Sequence, residues 1–229
     1  MSSIQKLKKI ITADNTESFL NEEVQESYHS HSGAVEEAYK KYVIPCKIKE
    51  LAKTGEIRIL DVCFGIGYNS AAAISAALEE NPNCKIEVIG LELDPDIVNQ
   101  IQHLNPPIPY YQHYKQLSTN TLQFTKDNVT VKILLGDAHQ TSTTLQDNYF
   151  DAIFFDPFSP KTHPHMWTTS LFTEMYRVIK EHAILATYSC ARVVRDNMKE
   201  AGFIYDDGPI VGRRGPGTIA FKMEIELKI

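Results

Sequence analysis

Short, mainly apolar runs alternate along the chain with stretches in which apolar positions recur every three or four residues. The runs are Ile57–Leu60, Ile86–Leu91, Val129–Leu135, Phe150–Phe155 and Ala183–Tyr188. Helical spacing lies between and after them, at Ser70–Leu78, Asp96–Leu104, Gln140–Leu145, Ser170–Ile179 and Ala191–Ala201. Continuous apolar strands alternating with helices predict a parallel sheet covered on both faces. Phe203–Asp206 and Thr218–Ile225, separated by the turn Gly212–Gly217, predict an antiparallel pair at the sheet edge. Ahead of this pattern, Lys9–Thr12 and Phe19–Val24 predict two short strands, with Asp14-Asn15 as a turn. Val35, Tyr39, Tyr42 and Val43 share one helical face; Pro45 interrupts that helix, and Gly55 closes its continuation to Ala52. Residues 105–128 are rich in Pro, Tyr and polar side chains and form an insertion with a helical piece around Tyr114–Phe124.

The chain is organised around Ile57–Asp94, IRILDVCFGIGYNSAAAISAALEENPNCKIEVIGLELD. It reads as strand, glycine turn, small-residue helix, strand. The first strand ends in Asp61, the turn carries Gly65 and Gly67, and the second strand ends in Glu92. Such glycines let a backbone approach a ligand, and an acid at the next strand tip can accept from ribose hydroxyls. A third glycine is missing, which argues against a dinucleotide and its pyrophosphate. A cofactor without phosphates, such as S-adenosyl-L-methionine, needs no phosphate cradle.

Composition narrows the class. The chain has 229 residues, 43% hydrophobic and 23% charged, as in a soluble globular protein of one domain with an appended element. Residues 1–50 form that N-terminal extension, a hairpin and helix, and 51–229 the main domain. The net charge of −6 gives the whole chain no polycationic footprint for nucleic acid, although a local patch would suffice. No apolar run approaches the ~20 residues of a membrane span. The N-terminus MSSIQKLKKIITADN has no apolar signal core, so a cytoplasmic location with no membrane partner is expected. Cys46, Cys63, Cys84 and Cys190 show no paired spacing and read as free thiols.

Asp61, Glu92, Asp137 and Asp156 all end apolar strands, at the edge where open α/β sheets bind ligands. Four acids there suit a ligand bearing a sulfonium, an amine and a ribose diol. Glu92 would accept from the ribose, Asp137 would line the adenine pocket, and Asp61 would hold the turn or the ligand's amino group. Each alone is also an ordinary cap or turn acid. Asp156-Pro157-Phe158 is a stiff acidic tip with a ring beside it, suited to orient an amine and take its proton during methyl transfer. Tyr28-His29, just before a helix, reads as either a capping loop or a lid. His163-Pro164-His165 lacks a third ligand in register, and no metal is expected. Lys161, Arg192, Arg195, Arg213 and Arg214 could together hold phosphates.

DPFSPKTHPHMW resembles the D-x-F-x-P-x-x-x-P-x-M-W segment of MnmC-type tRNA methyltransferases, and the likeness continues in ESYHSHSGAVEE, DVCFGIGYN and ATYSCARVVRDNMKEAGF. It covers roughly residues 10–215. The resemblance implies a Rossmann-like class I methyltransferase fold: a mostly parallel seven-stranded sheet, helices on both faces, and a small N-terminal extension. It implies methylation of the aminomethyl group of wobble uridine in tRNA, with S-adenosyl-L-methionine as cofactor and the anticodon region as partner. Asp156 would be catalytic and touch the cofactor's methionine end. Asp61, Gly65, Gly67, Glu92 and Asp137 would bind the cofactor, and Tyr28, His29, Phe158, Arg213 and Arg214 the substrate. The family's bacterial members often carry a fused oxidase, which is not expected here, so either a separate enzyme would supply the amine or the substrate would differ. Cys63 stands where the family usually has glycine, and GRRGPG differs from its more basic pattern. The rival readings are a small-molecule amine methyltransferase, a polyamine aminopropyltransferase, and a non-catalytic binding module.

Overall fold

The computed structural model describes residues 6–30, 32–212 and 214–222. The strand predicted over Ile57–Leu60 becomes β4 (Glu56–Val62), at the middle of an eight-stranded sheet. It pairs in parallel with β5 (Lys85–Glu92) on one side and β8 (Phe150–Phe155) on the other. Beyond β5 lies β7 (Val129–Leu135), and beyond β8 lies β9 (Ile179–Thr187), both parallel. β11 (Thr218–Lys222) runs antiparallel between β9 and β10 (Phe203–Asp207), as the hairpin pattern predicts. Seven strands are thus the expected ones. The eighth, β6 (Gln123–Lys126), pairs antiparallel with β7 and forms one edge, while β10 forms the other.

Alternation along the central strands divides the core. Ile57, Ile59, Ala152 and Phe154 face one layer, and Leu60, Val62, Ile153 and Phe155 the other. The first layer holds α3 (Tyr68–Glu80), α4 (Pro95–Gln100) and α2 (Ile48–Ala52). Ala71, Ala72, Ala73, Ala76 and Ala77 are buried, so α3 lies close against its neighbours. The second layer holds α5 (Ala138–Thr141), α6 (Thr169–Val178) and α7 (Arg192–Glu200).

The N-terminal fifty residues differ in detail from the pattern. A separate sheet contains β1 (Leu7–Ile11), β2 (Glu17–Asn21) and a third short strand, β3 (Glu26–Ser27). The second strand stops at Asn21, whose Oδ1 accepts from the Glu23 amide at 3.0 Å and turns the chain. α1 (Ala34–Glu37) continues into a π-helical turn, Ala38–Val43, where the Ile44 amide donates to the Tyr39 carbonyl five residues back. Leu7, Phe19, Ala38 and Tyr42 join the first core layer.

The insertion is ordered, but not as expected. A 3₁₀ helix over Pro109–Gln116 buries Tyr110, Tyr111 and Tyr114 and ends before the predicted piece begins in earnest. Pro109 sits at its first turn, where a missing N–H costs nothing. Ser118 and Thr121 then exchange backbone hydrogen bonds of 3.0 Å, which reverses the chain and delivers Phe124 to the sheet as part of β6.

Candidate active site

Register brings the acids to one level. Val62 lies opposite both Leu91 and Phe155, so Cys63, Glu92 and Asp156 leave the sheet together at its carboxyl edge. After Val62 the chain turns through Cys63 (φ 62°), Gly65 (φ 57°) and Gly67 (φ 74°), all left-handed, and enters α3. Glycine carries this conformation at little cost. At Gly67 a Cβ would also lie 2.7 Å from the Tyr114 ring. The insertion supports the turn from below: Tyr111 donates to the Ile66 carbonyl at 2.8 Å, and Phe64 stacks on Tyr114.

A cavity of about 570 Å³ opens over this edge. Gly65, Glu92, Asp137, Asp156, Tyr28, His29 and Phe158 all line it. Glu92 is held by three amides: Gly65 N donates to one oxygen at 2.7 Å, and Leu93 N and Asp94 N to the other at 2.8 Å. Burial still raises its carboxyl above the usual range, with the three amides pulling the other way. Asp137 is exposed at the rim and caps α5 through the His139 amide at 2.9 Å. Asp156 accepts from Asn69 Nδ2 at 2.9 Å. Burial pushes it up to about 6, with Tyr42 and Asn69 drawing it back.

Asp61 and Gly67 do not line the cavity. Asp61 is wholly buried beneath the turn with neither oxygen hydrogen-bonded, and burial holds it well above the carboxylate range. Arg214 is exposed, two residues from the cavity-lining Gly212, and Arg213 lies outside the described residues. The other cations do not converge: Arg195 pairs with Asp207 at 2.6 Å and Arg192 with Asp196 at 3.6 Å. Among the described residues no group of three or more His, Cys, Asp or Glu is placed to hold a metal, and no helix is long and apolar enough to cross a membrane.

The mouth is aromatic. Tyr28 meets Phe158 edge-on at 5.0 Å, and Phe158 lies 5.2 Å from His163. Trp167 Nε1 donates to the Phe158 carbonyl at 2.9 Å, folding the Asp-Pro-Phe to Met-Trp segment back on itself. Glu26 of β3 accepts from the Ser159 amide at 2.8 Å and from the Ser159 and Thr162 hydroxyls, tying the N-terminal sheet to this loop. His29 stacks on Tyr68, and burial pushes its imidazole down to about 4, so it is neutral near pH 7.

Several cavity residues carry no strong signal in the sequence. Glu37, Lys41 and Tyr42 reach the cavity from α1 and its π-helical turn, and Asn69 from the first turn of α3. The helical period puts Tyr42 on the buried face but does not single out Glu37, and at Lys41 the extra residue of the π turn shifts the phase. Asn69 lies within DVCFGIGYN, directly after the glycine turn, and that position is its only sequence signal.

The cavity fits an adenosyl amino acid. Its volume lies within the ~300–1,000 Å³ of small-ligand sites. One end offers the ribose-type acceptor Glu92. The other holds Asp156 with Tyr42 beside it and a buried polar atom without a hydrogen-bond partner, Asn69 Oδ1.

Comparison with known proteins agrees with this chemistry. A family described as S-adenosyl-L-methionine-dependent methyltransferase matches residues 103–223. The crystal structure of MnmC2 from Aquifex aeolicus superposes with a TM-score of 0.82 at 32% identity, covering 94% of this chain and 70% of that one. An uncharacterized protein of Methanocaldococcus jannaschii is 30% identical over 219 residues, 92% of this chain and 58% of its own length. The tRNA 5-methylaminomethyl-2-thiouridine biosynthesis bifunctional protein MnmC of Ralstonia nicotianae is 27% identical over 181 residues, 71% of this chain and 26% of that protein. The chain therefore spans well under two thirds of these two curated relatives.

Proposed function

The chain belongs to the S-adenosyl-L-methionine-dependent methyltransferases, and from that premise we propose that it methylates the amine of an aminomethyl group on the wobble uridine of tRNA, in the cytoplasm. The observation that carries this reading is Asp156: a carboxylate fixed by Asn69 at the cavity's inner end, beside a mouth of flat rings. The likeness to MnmC2 and to the bifunctional MnmC proteins supports it.

Bound S-adenosyl-L-methionine supplies an electrophilic methyl group on a sulfonium. Gly65 and Glu92 hold the ribose, and Asp137 borders the adenine. Asp61 and Gly67 shape the turn from beneath, and Asp156 faces the methionine end. On the substrate side, Tyr28, His29 and Phe158 receive the base, while Arg213 and Arg214 meet phosphate. A wobble base is already unpaired, so placing it among rings costs little. Asp156 accepts a hydrogen bond from the neutral amine and aligns its lone pair. The cofactor would supply the methyl group and leave as its thioether, and Asp156 would take the proton that the methylated ammonium sheds. Residues 1–50 are an extension that roofs the domain formed by 51–229. A separate enzyme supplies the amine.

The deciding experiment incubates the chain with S-adenosyl-L-methionine and tRNA carrying 5-aminomethyl-2-thiouridine, then digests to nucleosides for mass spectrometry. Gain of one methyl on that nucleoside is expected. Transfer only to free polyamines would overturn the tRNA assignment, and the acidic rim (Glu23, Glu26, Asp94) is the feature that favours this second reading.

A further inference from the structure

The buried ion pair Glu37–Lys41 has no role in the chemistry above. Both side chains line the cavity, at 6% and 8% exposure. A buried pair is costly to desolvate and often no more stabilising than apolar residues in its place, so its presence in a ligand cavity calls for a functional reason. The π-helical turn that carries Lys41 is itself a feature that concentrates at functional sites.

The charge around the cavity is uneven. Carboxylates dominate its lining, and the only lysine or arginine side chains among the described residues there are Lys6 and Lys41. Lys6 pairs with Asp94 at 3.1 Å, on the Glu92 side where the ribose is placed. Lys41 therefore stands as the one fixed cation toward Asp156. Its ammonium has three protons, of which Glu37 needs one, and it lies 6.0 Å from the Tyr188 ring. Glu37 is itself anchored, accepting from the Ser30 amide at 2.8 Å. Beside them are the Tyr42 hydroxyl, which is turned to Asp156, and the unpartnered Asn69 Oδ1, an acceptor, in side chains 1% and 6% exposed. A fixed cation in one cavity with the Asp156 carboxylate and an unpartnered amide oxygen matches an amino-acid zwitterion.

We propose that Lys41, oriented by Glu37, binds the α-carboxylate of the cofactor's amino-acid end. The proposal rests on the assignment of this cavity to the cofactor. It has a consequence for reaction type. A cofactor lacking that carboxylate would leave Lys41 facing only Glu37 and lose the contact, so the pair selects methyl transfer over the aminopropyl transfer that a decarboxylated cofactor would support.

Calorimetric titration with two ligands tests this. S-adenosylhomocysteine carries the amino-acid end, and 5′-methylthioadenosine lacks it. Wild-type protein should bind the first more tightly. Lys41→Met should weaken S-adenosylhomocysteine by about 10- to 100-fold, the range for a lost charged hydrogen bond, and change 5′-methylthioadenosine by less than about twofold. Equal losses for both ligands, or none, would overturn the proposal. Because Lys41→Met strands a buried carboxylate, the double variant Glu37→Gln/Lys41→Met, checked by thermal melting, must show the same ligand-dependent loss. Failure of wild-type protein to bind either ligand would instead remove the cofactor site itself, and the proposal with it.

Discussion

Asp156 shows how burial can tune a group for its task. Pushed up to about 6, it is ionised at pH 7 yet basic enough to accept a proton from a forming ammonium. With the proposed amine substrate, which titrates above neutrality, log kcat/KM should rise with unit slope toward higher pH. Asp156 adds a second unit below about pH 6, so the profile should steepen there. Asp156→Asn should abolish that steepening, lower kcat by about 10²- to 10⁴-fold, and leave S-adenosylhomocysteine binding within severalfold; unchanged turnover would remove the residue from the reaction. The same shift has a stability sign. The folded value exceeds the unfolded one, so the native state holds the extra proton between about pH 4 and 6. Wild-type protein should lose stability relative to Asp156→Asn as pH rises through that window and run parallel to it above.

At the scale of elements, the glycine turn depends on strands that never touch the ligand. Gly90, in the middle of β5, leaves room for Phe64: a Cβ there would lie 2.8 Å from Phe64 Cγ. Gly90→Ala should destabilise the fold by about 1–3 kcal/mol, a fall in Tm of several degrees. It should also weaken S-adenosylhomocysteine, because Phe64 anchors the turn on Tyr114; a lower Tm with unchanged affinity would separate the turn from that packing. Such cross-strand fits explain what the sequence could and could not convey. The five parallel strands, the acids Glu92, Asp137 and Asp156 at or just past three of their tips, and the glycine turn were legible, because a strand buried on both faces is apolar and a ligand-bearing tip ends in a polar residue; Asp61 was not, since it lies inside β4 and under the turn. The path of residues 105–128 was not, since Tyr110, Tyr111 and Tyr114 are buried by the turn they support and not by any period of their own. Nor was Lys41, whose direction depends on one extra residue in a helical turn. Asp137 turned out to fill both of the roles open to it from sequence, a helix cap that also borders the cavity.

For the molecule as a whole, a net charge of −6 means that the proposed RNA substrate would be met by a few cations and not by a basic face. Arg214 is exposed beside the cavity, whereas Arg195 is committed to Asp207 and Gly217. Binding of an anticodon stem-loop, followed by fluorescence anisotropy across salt concentrations, should therefore show a shallow dependence. Arg214→Glu should weaken it and reduce the log–log slope by about 0.7–0.9, the increment for one phosphate. An unchanged slope would place the phosphate contact elsewhere.

The sheet's two open edges are also part of this economy. β6 is four residues long, with Gln123, Thr125 and Lys126 exposed, and β10 is five residues long and ends in Asp206 and Asp207, both exposed. A second chain seeking to add a strand would find too few backbone groups to pair with and a charge to bury at either side. The added eighth strand thus does more than extend the sheet: it replaces the long, β-branched flank of β7 as the boundary, and guards an otherwise sticky parallel sheet against self-association while its slow, non-local pairing completes.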